Sequence, residues 1–532
     1  MKHFNTTAVC IPSKHYMADL SQRVKDIKKL VDDGQYFAIS RGRQYGKTTT
    51  LTALKQQLKT AYLVLSLDFQ RLDYDVFENG ATFSQAMSRI IMDAHEFEDV
   101  PVPEDTLSAL DELNRSDPQK IKMDHLFRIL KRWIKHSERP TVLMIDEIDS
   151  AANTQVFLDF LAQLRDGYIR RDTDKAPAFQ SVILAGVTDV KSLNSRIRPE
   201  DRQRVTSPWN IAADFDIDMS LSEEGIRGML DEYEADHHTG MDTAEIATSV
   251  REYTNGYPYL VSRICQIIDT DLVPGVFNSL HDAWTRYGVD EAVKKILSQP
   301  NNTLFASLTG KLADYPALRS RIRALLMRGE TFAWLPYDEA QQQLFMHGFI
   351  RNNRNRAALS CRIFEMLLST QFIGENDQNN DLKQIAAGMK SAFVDEEGGL
   401  DIPKMMDHFI REHNRIHNGQ TDTCLEEEGR ERFITYVSGI INGTGTYHVE
   451  EQLRDDRQAD LVIHYLGRRY VIQLKTGHGE RYHSEDEKQL TGCLDDRNLN
   501  TGYLLRFNLN KEKASGVRRL QLSDKVLYEG TV

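Results

Sequence analysis

Short apolar runs, each closed by a polar or acidic residue, punctuate the first part of the chain: "YFAIS" at 36–40, "AYLVLSLDF" ending near Asp68, "TVLMIDEIDS" reaching Asp146 and Glu147, and "SVILAGVTD" ending in Thr188 and Asp189. Runs this short read as strands buried on both faces. The segments between them show leucines at helical spacing, as in "TTTLTALKQQL". Strands separated by helices predict a parallel sheet with ligands at its carboxyl edge. "SLSEEGIRGMLDEYEAD" opens a helix, with Ser220 and Glu223 at capping-box spacing. Helical patterns continue to about residue 300. Two further helices and "HGFIRNNRNRAALS", a hairpin with an Asn-Arg-Asn turn, follow up to Leu368. Residues 373–424 read as a polar, largely helical connector. Near the end, "ADLVIHY" and "RYVIQLK" are strands separated by Leu466-Gly467, a two-residue hairpin turn.

The chain has 532 residues, too many for one core, so roughly two to four domains are expected. The net charge of −13 argues against a surface coated with nucleic acid throughout and leaves room for a local basic site. Cys10, Cys265, Cys361, Cys424 and Cys493 form no CxxC pair, so reduced thiols are expected rather than a zinc site or a disulfide framework. The N-terminus lacks the apolar core of a signal peptide, and no apolar run is long enough to span a bilayer. The expectation is a cytoplasmic protein with no membrane partner.

"RGRQYGKTTT", residues 41–50, has the Gly46-Lys47-Thr48 end of a phosphate-binding loop, with Arg41 where the first glycine of the pattern would stand. The preceding strand and following helix supply the required context: backbone N–H groups at a helix N-terminus to cradle phosphates, Lys47 to reach the outer ones, and the Thr48 hydroxyl to ligate magnesium. Asp146 and Glu147, at the end of a buried strand, form a Walker B pair: Asp146 holds the magnesium and Glu147 polarises the attacking water. Thr188 and Asp189 stand where a polar tip senses the γ-phosphate. Asp68 and Asp189 also suit a plain strand end.

"RGRQYGKTTTL", "LMIDEID", "LAGVTDV", "SPWNIAADFDIDMSLS" and "TNGYPYLVSRIC" together resemble the bacterial AAA-ATPase-like family, related to the signal-transducing ATPases with numerous domains. The resemblance covers roughly residues 1–370. It implies that Arg41 is a family variant of the loop, so that Arg41, Gly42, Arg43, Gln44, Tyr45, Gly46, Lys47, Thr48 and Thr49 form the nucleotide-contacting stretch with ATP and Mg2+. It further implies that Thr188 is the first sensor, that Gly256-Tyr257-Pro258 is a lid turn with Pro258 at the nucleotide, and that His15 and Tyr16 stand where relatives contact adenine. Pro258 also suits the first position of a helix. Arg196, Arg198, Arg202 and Arg204 include candidates for an arginine finger, in cis or from a second copy in a homo-oligomer; for any single one of them a solvated basic loop is the favoured reading.

In the C-terminal hairpin, the Leu466-Gly467 turn sets Asp460 opposite Gln473, with Lys475 on the same face as Gln473 and Glu450 on the strand before. Two carboxylates, an amide and an ammonium then converge. Glu450, Asp460 and the Leu474 carbonyl suit a magnesium ion, and Lys475 suits the positioning of its water or the developing charge. Residues 426–532, with "FITYVSGIINGTGTYHVEEQ", "ADLVIHY" and "DEKQL", resemble the PD-(D/E)xK nuclease superfamily, in the branch fused to AAA-ATPase-like domains. Gln489 would match its helix glutamine. Gln473 departs from the pattern, replacing a glutamate, and implies weaker magnesium binding and a call for Mn2+.

The sequence thus predicts an α/β protein: a P-loop parallel-sheet core (1–215), a helical lid (216–300), a winged-helix-like module (301–372), a helical connector (373–425), and an α/β restriction-endonuclease-like domain (426–532). The expected function is an ATP-hydrolysing switch coupled to a metal-dependent nuclease with nucleic acid at the C-terminal domain, which fits defence against foreign DNA. The rival is a nucleotide-dependent scaffold whose nuclease-like domain is inactive and only docks nucleic acid or protein.

Overall fold

The structure is a computed structural model that describes residues 2–152, 154–195, 208–300, 302–328, 332–375, 380–395, 397–416, 425–442, 444–449, 461–477, 490–495, 499–508, 516–522 and 524–532. The chain divides into two compact units, one of Met1–Tyr233, Gly256–Arg263 and Phe345–Gly348, the other of Glu234–Asn255, Ile264–Leu344 and Phe349–Val532.

The first unit opens with β1 (His3–Phe4) and β2 (His15–Tyr16), paired in parallel, and α1 (Ser21–Asp32). The apolar runs become β3 (Tyr36–Ser40), β4 (Leu63–Asp68), β5 (Thr141–Asp146) and β6 (Ser181–Gly186). They form an all-parallel sheet in the order β3-β6-β5-β4. Ala213 extends it by one parallel bridge to Phe37. Helix α2 (Lys47–Leu58) follows β3, while α3 (Gly80–Glu98), α4 (Glu104–Arg115), α5 (Met123–His136) and α6 (Gln155–Thr173) lie between later strands. Every residue of β5 and β6 is buried. Successive side chains of a strand point to opposite faces, and β5 shows the consequence. Val142 and Met144 join the core built with α1 and α2, whereas Leu143 and Ile145 join the core built with α3 to α6. That two-sided burial is why these strands read as unbroken apolar runs rather than alternating ones.

Helix α7 (Glu223–His237) starts two residues later than a capping box at Ser220 places it, and its cap differs. Ser222 Oγ accepts from the Gly225 N–H at 3.1 Å, while the Ser220 hydroxyl donates to Asp218 at 2.8 Å. The capping hydroxyl must directly precede the first helical residue to reach its free N–H groups, and Ser220 lies two residues too early.

The second unit contains α8 (Thr243–Thr254), most of α9 (Pro258–Thr270), α10 (Leu280–Ala283) and α11 (Arg286–Ser298). Next come α12 (Thr303–Asp314), α13 (Pro316–Arg323), β7 (Phe332–Ala333), α14 (Glu339–Met346), β8 (Ile350–Asn353), β9 (Arg356–Leu359) and α15 (Arg362–Gly374). The three strands form a small sheet in the order β7-β9-β8. After α16 (Asn380–Gly388), α17 (Ile402–Ile416) and α18 (Leu425–Ile441) comes a second sheet. It comprises β10 (Gly445–Val449), β11 (Leu461–Tyr465), β12 (Arg468–Gly477), β13 (Thr501–Asn508), β14 (Gly516–Leu522) and β15 (Lys525–Thr531), in the order β10-β11-β12-β13-β15-β14. Strands β12, β13 and β15 are parallel and the others antiparallel.

The β11–β12 hairpin has the expected register: Leu461 faces Ile472 and Tyr465 faces Arg468, with Leu466 and Gly467 both at positive φ (46° and 77°). Two left-handed residues match the strand twist. The segment expected as a polar connector carries α17, which packs on β13, β14 and β15 with Met405, Met406, Phe409 and Ile410 buried. A side chain at Gly530 would strike Met406 Cε at 2.8 Å, so this helix lies tight on the sheet. Among the described residues no helix is long and apolar enough to cross a membrane.

Candidate nucleotide site

The loop between β3 and α2 turns twice through left-handed backbone, at Gln44 (φ 57°) and Gly46 (φ 76°). A side chain is tolerated poorly there, which explains the glycine at 46, where Pro258 Cγ also approaches to 3.8 Å of a notional Cβ. The Arg41 backbone N–H donates to the Gly186 carbonyl at 3.1 Å and keeps the loop on the sheet. Its guanidinium leaves the loop. It donates to the carbonyls of Ser40, Phe215 and Ile217 at 2.9, 3.4 and 3.3 Å and lies over the Phe215 ring. The arginine in the first-glycine position therefore clasps the 215–217 segment.

Gly42 is the position where only glycine fits. A Cβ there would stand 2.8 Å from the His347 carbonyl oxygen and 3.3 Å from Gly348 Cα. The Tyr45 ring meets the Tyr257 ring edge-on, centroids 4.7 Å apart, and the Tyr257 hydroxyl donates to the Arg43 carbonyl. The Thr49 hydroxyl accepts the Cys10 N–H at 3.2 Å.

Lys47 begins α2 and is buried; its ammonium donates to the carbonyls of Arg41 and Gly42, at 3.0 Å each. Burial pushes it below the ordinary lysine value, against the pull of Glu147, Asp149 and Asp146. The Thr48 hydroxyl donates to Asp146 Oδ2 at 2.7 Å, so the two expected magnesium ligands already meet. The other Asp146 oxygen accepts the Glu147 N–H at 2.9 Å. Burial raises the carboxyls of both Asp146 and Glu147. Glu147 is held left-handed at φ 53°, a conformation that costs a non-glycine residue about 1 kcal/mol or more.

Asp149 was not singled out by the sequence. It accepts the Val187 and Thr188 N–H groups at 2.8 Å each and the Thr188 hydroxyl at 2.6 Å, locking the end of β6 to the turn after β5. The third carboxylate of "DEID" was its only signal. The Phe345–Gly348 segment, grouped with this unit, was also missed: besides the Gly42 contact, Met346 Sδ lies 3.2 Å from the Asp189 N–H. Asp68 sits level with Asp146 and caps a turn through the Gln70 N–H at 2.9 Å. The rings suggested for adenine are engaged within the unit. His15 is buried, its Nδ1 accepting from the Ile11 N–H at 2.8 Å, and Tyr16 packs between Phe4 and Tyr233. Arg196, Arg198, Arg202 and Arg204 lie outside the described residues.

At the C-terminal site, Glu450, Asp460 and Gln489 also lie outside the described residues. Gln473 is fully buried, Leu474 is buried and Lys475 is half-buried. In register, Gln473 stands beside Leu504 and Lys475 beside Arg506. On the same face Glu529 accepts from Arg506 Nε and Arg518 Nε at 2.5 Å each.

A parallel sheet, a left-handed loop opening onto a helix N-terminus, a buried lysine, and a hydroxyl touching a strand-end carboxylate define a P-loop nucleotide site. The chain belongs to the AAA-like domain family, whose model matches residues 4–369. No curated protein matches it. Among solved structures it is similar to a Walker-type ATPase of Pyrococcus abyssi (14% identity, 69% of this chain and 99% of that one, TM-score 0.47). It is also similar to the Orc1 protein of Aeropyrum pernix in complex with DNA (12%, 66% and 93%, 0.31). A third is the RuvB Holliday junction branch migration motor of Thermotoga maritima (13%, 64% and 92%, 0.32).

Proposed function

We propose that this protein is an ATP-hydrolysing switch whose nucleotide state controls a C-terminal, metal-dependent nuclease domain. The observation that carries the first half is the 2.7 Å approach of Thr48 to Asp146 beside the buried Lys47. A hydroxyl and a carboxylate are hard oxygen donors, and magnesium needs only one or two from protein when phosphates and water supply the rest. These residues fit Mg·ATP, and the ion neutralises charge building on the phosphates. Lys47 is held by two loop carbonyls it can exchange for phosphate oxygens. Glu147, its pKa raised by burial, is suited to accept a proton from water. Asp149 orients the Thr188 hydroxyl. Pro258, against Gly46, closes the loop from the lid side.

Support for coupling comes from the second unit, where the lid helices and the C-terminal sheet share ion pairs. Glu252 on α8 accepts from Arg286 of α11 at 2.7 Å and from Arg469 of β12 at 3.2 Å. At the far site, Lys475 and the Leu474 carbonyl would join Glu450 and Asp460 around Mg2+ or Mn2+. The fully buried, uncharged Gln473 favours a second reading, in which this domain is inactive and docks nucleic acid or protein. A nuclease assay with Mg2+ and Mn2+, with and without ATP, decides between them. Cleavage lost in Asp460→Ala supports the nuclease; no cleavage under any metal leaves the docking module.

A further inference from the structure

Three cations stand in the 41–47 loop, Arg41, Arg43 and Lys47, and two of them are engaged. Arg41 directs its guanidinium to the carbonyls of Ser40, Phe215 and Ile217, and Lys47 sets its ammonium on those of Arg41 and Gly42. Arg43 differs. It is exposed, and its guanidinium makes no hydrogen bond or ion pair with any described residue. Burial holds Lys47 below the ordinary lysine value and the Arg43 charge adds to that push, so the two cations lie within electrostatic reach of each other.

The backbone at Arg43 is nevertheless fixed. Its carbonyl accepts the Tyr257 hydroxyl, Gly42 before it packs against the His347 carbonyl, and Gln44 after it is held left-handed at φ 57°. The side chain therefore leaves a positioned root. Like charges set side by side are unfavourable until an anion lies between them. The Gly42 carbonyl, 3.0 Å from the Lys47 ammonium, is one of the oxygens that a phosphate would replace, and Arg43 is the next residue along the loop.

We propose that Arg43 is a catalytic residue, its guanidinium contacting the outermost phosphate of ATP bound in its own site and stabilising the charge that develops as that phosphate is transferred. This rests on the reading of the 41–48 loop as a Mg·ATP site. In the step, the water oxygen bonds to the γ-phosphorus while the bond from that phosphorus to the β–γ bridging oxygen breaks. The water proton passes to Glu147, and the electron pair of the broken bond stays on the β-phosphate of ADP. Charge spreads over the γ-oxygens and the leaving oxygen, which a planar guanidinium meets with paired N–H groups. Carried by the loop itself, this cation makes hydrolysis independent of a second copy of the chain.

The test compares wild type, Arg43→Ala, Arg43→Lys and Lys47→Ala as full chains. Phosphate release measures turnover. Calorimetry measures the binding of ATP, of ADP, and of ADP with aluminium fluoride, which together resemble the phosphoryl group in transfer. An arginine in this role is worth about 10³- to 10⁵-fold in turnover, so Arg43→Ala should lower turnover at least about 100-fold. It should also lose the tighter binding that aluminium fluoride gives, while ADP affinity, which reports a folded loop, stays within about threefold. Arg43→Lys, a point charge without the paired N–H groups, should recover part of the loss. Wild-type turnover and aluminium fluoride binding in Arg43→Ala, with ATP binding lost in Lys47→Ala, would overturn the proposal and leave the nucleotide site standing. ATP binding unchanged in Lys47→Ala would remove the site and the proposal together. Turnover restored by mixing Arg43→Ala with Glu147→Gln would put the guanidinium in a second copy's site and overturn the assignment in cis.

Discussion

The Asp149 carboxylate receives the Thr188 hydroxyl at 2.6 Å, and it also takes the two backbone N–H groups at the end of β6. The turn that follows β5 is thereby tied to the end of β6. Gly186 makes the approach possible, since a Cβ there would stand 2.7 Å from Ile148 and 3.1 Å from Asp149 Oδ2. Asp149→Asn keeps the shape but removes the charge that all three donors face. Losing one charge-assisted interaction is worth about 1.5–3 kcal/mol. ATP turnover should fall about 10- to 100-fold while binding changes little; equal turnover in a steady-state assay would show that Thr188 needs no anchor.

Lys47→Ala removes the ammonium seated on the loop. Calorimetry should show ATP binding lost, and wild-type affinity would reject the nucleotide site. Glu147→Gln should instead bind ATP normally and hydrolyse it poorly, because only the proton acceptor is changed.

A pH prediction concerns Glu529. Burial would raise its carboxyl, but the hydrogen bonds from Arg506 and Arg518 outweigh burial and hold it below the usual glutamate value. A carboxylate depressed in the folded state gives stability that is present above its unfolded pKa and lost as pH falls through its folded one. Glu529→Gln should therefore destabilise the C-terminal sheet near neutral pH, by about 3 kcal/mol, since the buried Arg506 loses the charge of Glu529. The difference from wild type should shrink in acid. Urea unfolding across pH, followed by hydrogen exchange in β13 and β15, measures it.

On the proposed nuclease reading, Gln473→Glu adds a third carboxylate to the set that includes Asp460 and Glu450. Hard cations are held largely by such charge. If the metal site is real, Mn2+ affinity measured by calorimetry should rise about tenfold or more and cleavage should increase, with ATP hydrolysis unchanged. A gain of neither would leave only the docking role.

The four strands of the first unit were legible because a parallel sheet covered on both faces keeps strand interiors mostly apolar, with polar residues largely at their ends. The β11–β12 register was legible because two residues at positive φ fix a hairpin. The meeting of Thr48 with Asp146 was legible from their motifs. Arg41's destination was hidden, since no local pattern reveals that its guanidinium caps carbonyls at 215 and 217. The role of Gly42 depends on His347, and contacts across such a separation leave no periodic trace. Helix α17 looked like a connector because its polar residues dominate the composition, yet four apolar side chains on one stripe bury it. Ser220 fitted the capping-box spacing, yet it is Ser222, with Gly225 three residues on, that accepts the helix's free N–H.

Glu252 draws Arg286, Arg362 and Arg469 from three separate stretches of sequence, and Asp290 nearby accepts the buried Tyr253 hydroxyl at 2.8 Å with His464 of β11 at 3.8 Å. The family match stops at residue 369, well short of Arg469 and His464. A fragment cut at that border would strip one guanidinium from Glu252 and uncover apolar surface that β10 to β12 now shield. Grafting the AAA-like region onto another effector would thus require a replacement for this shared seam, because helices and strands of the second unit meet on the same carboxylates.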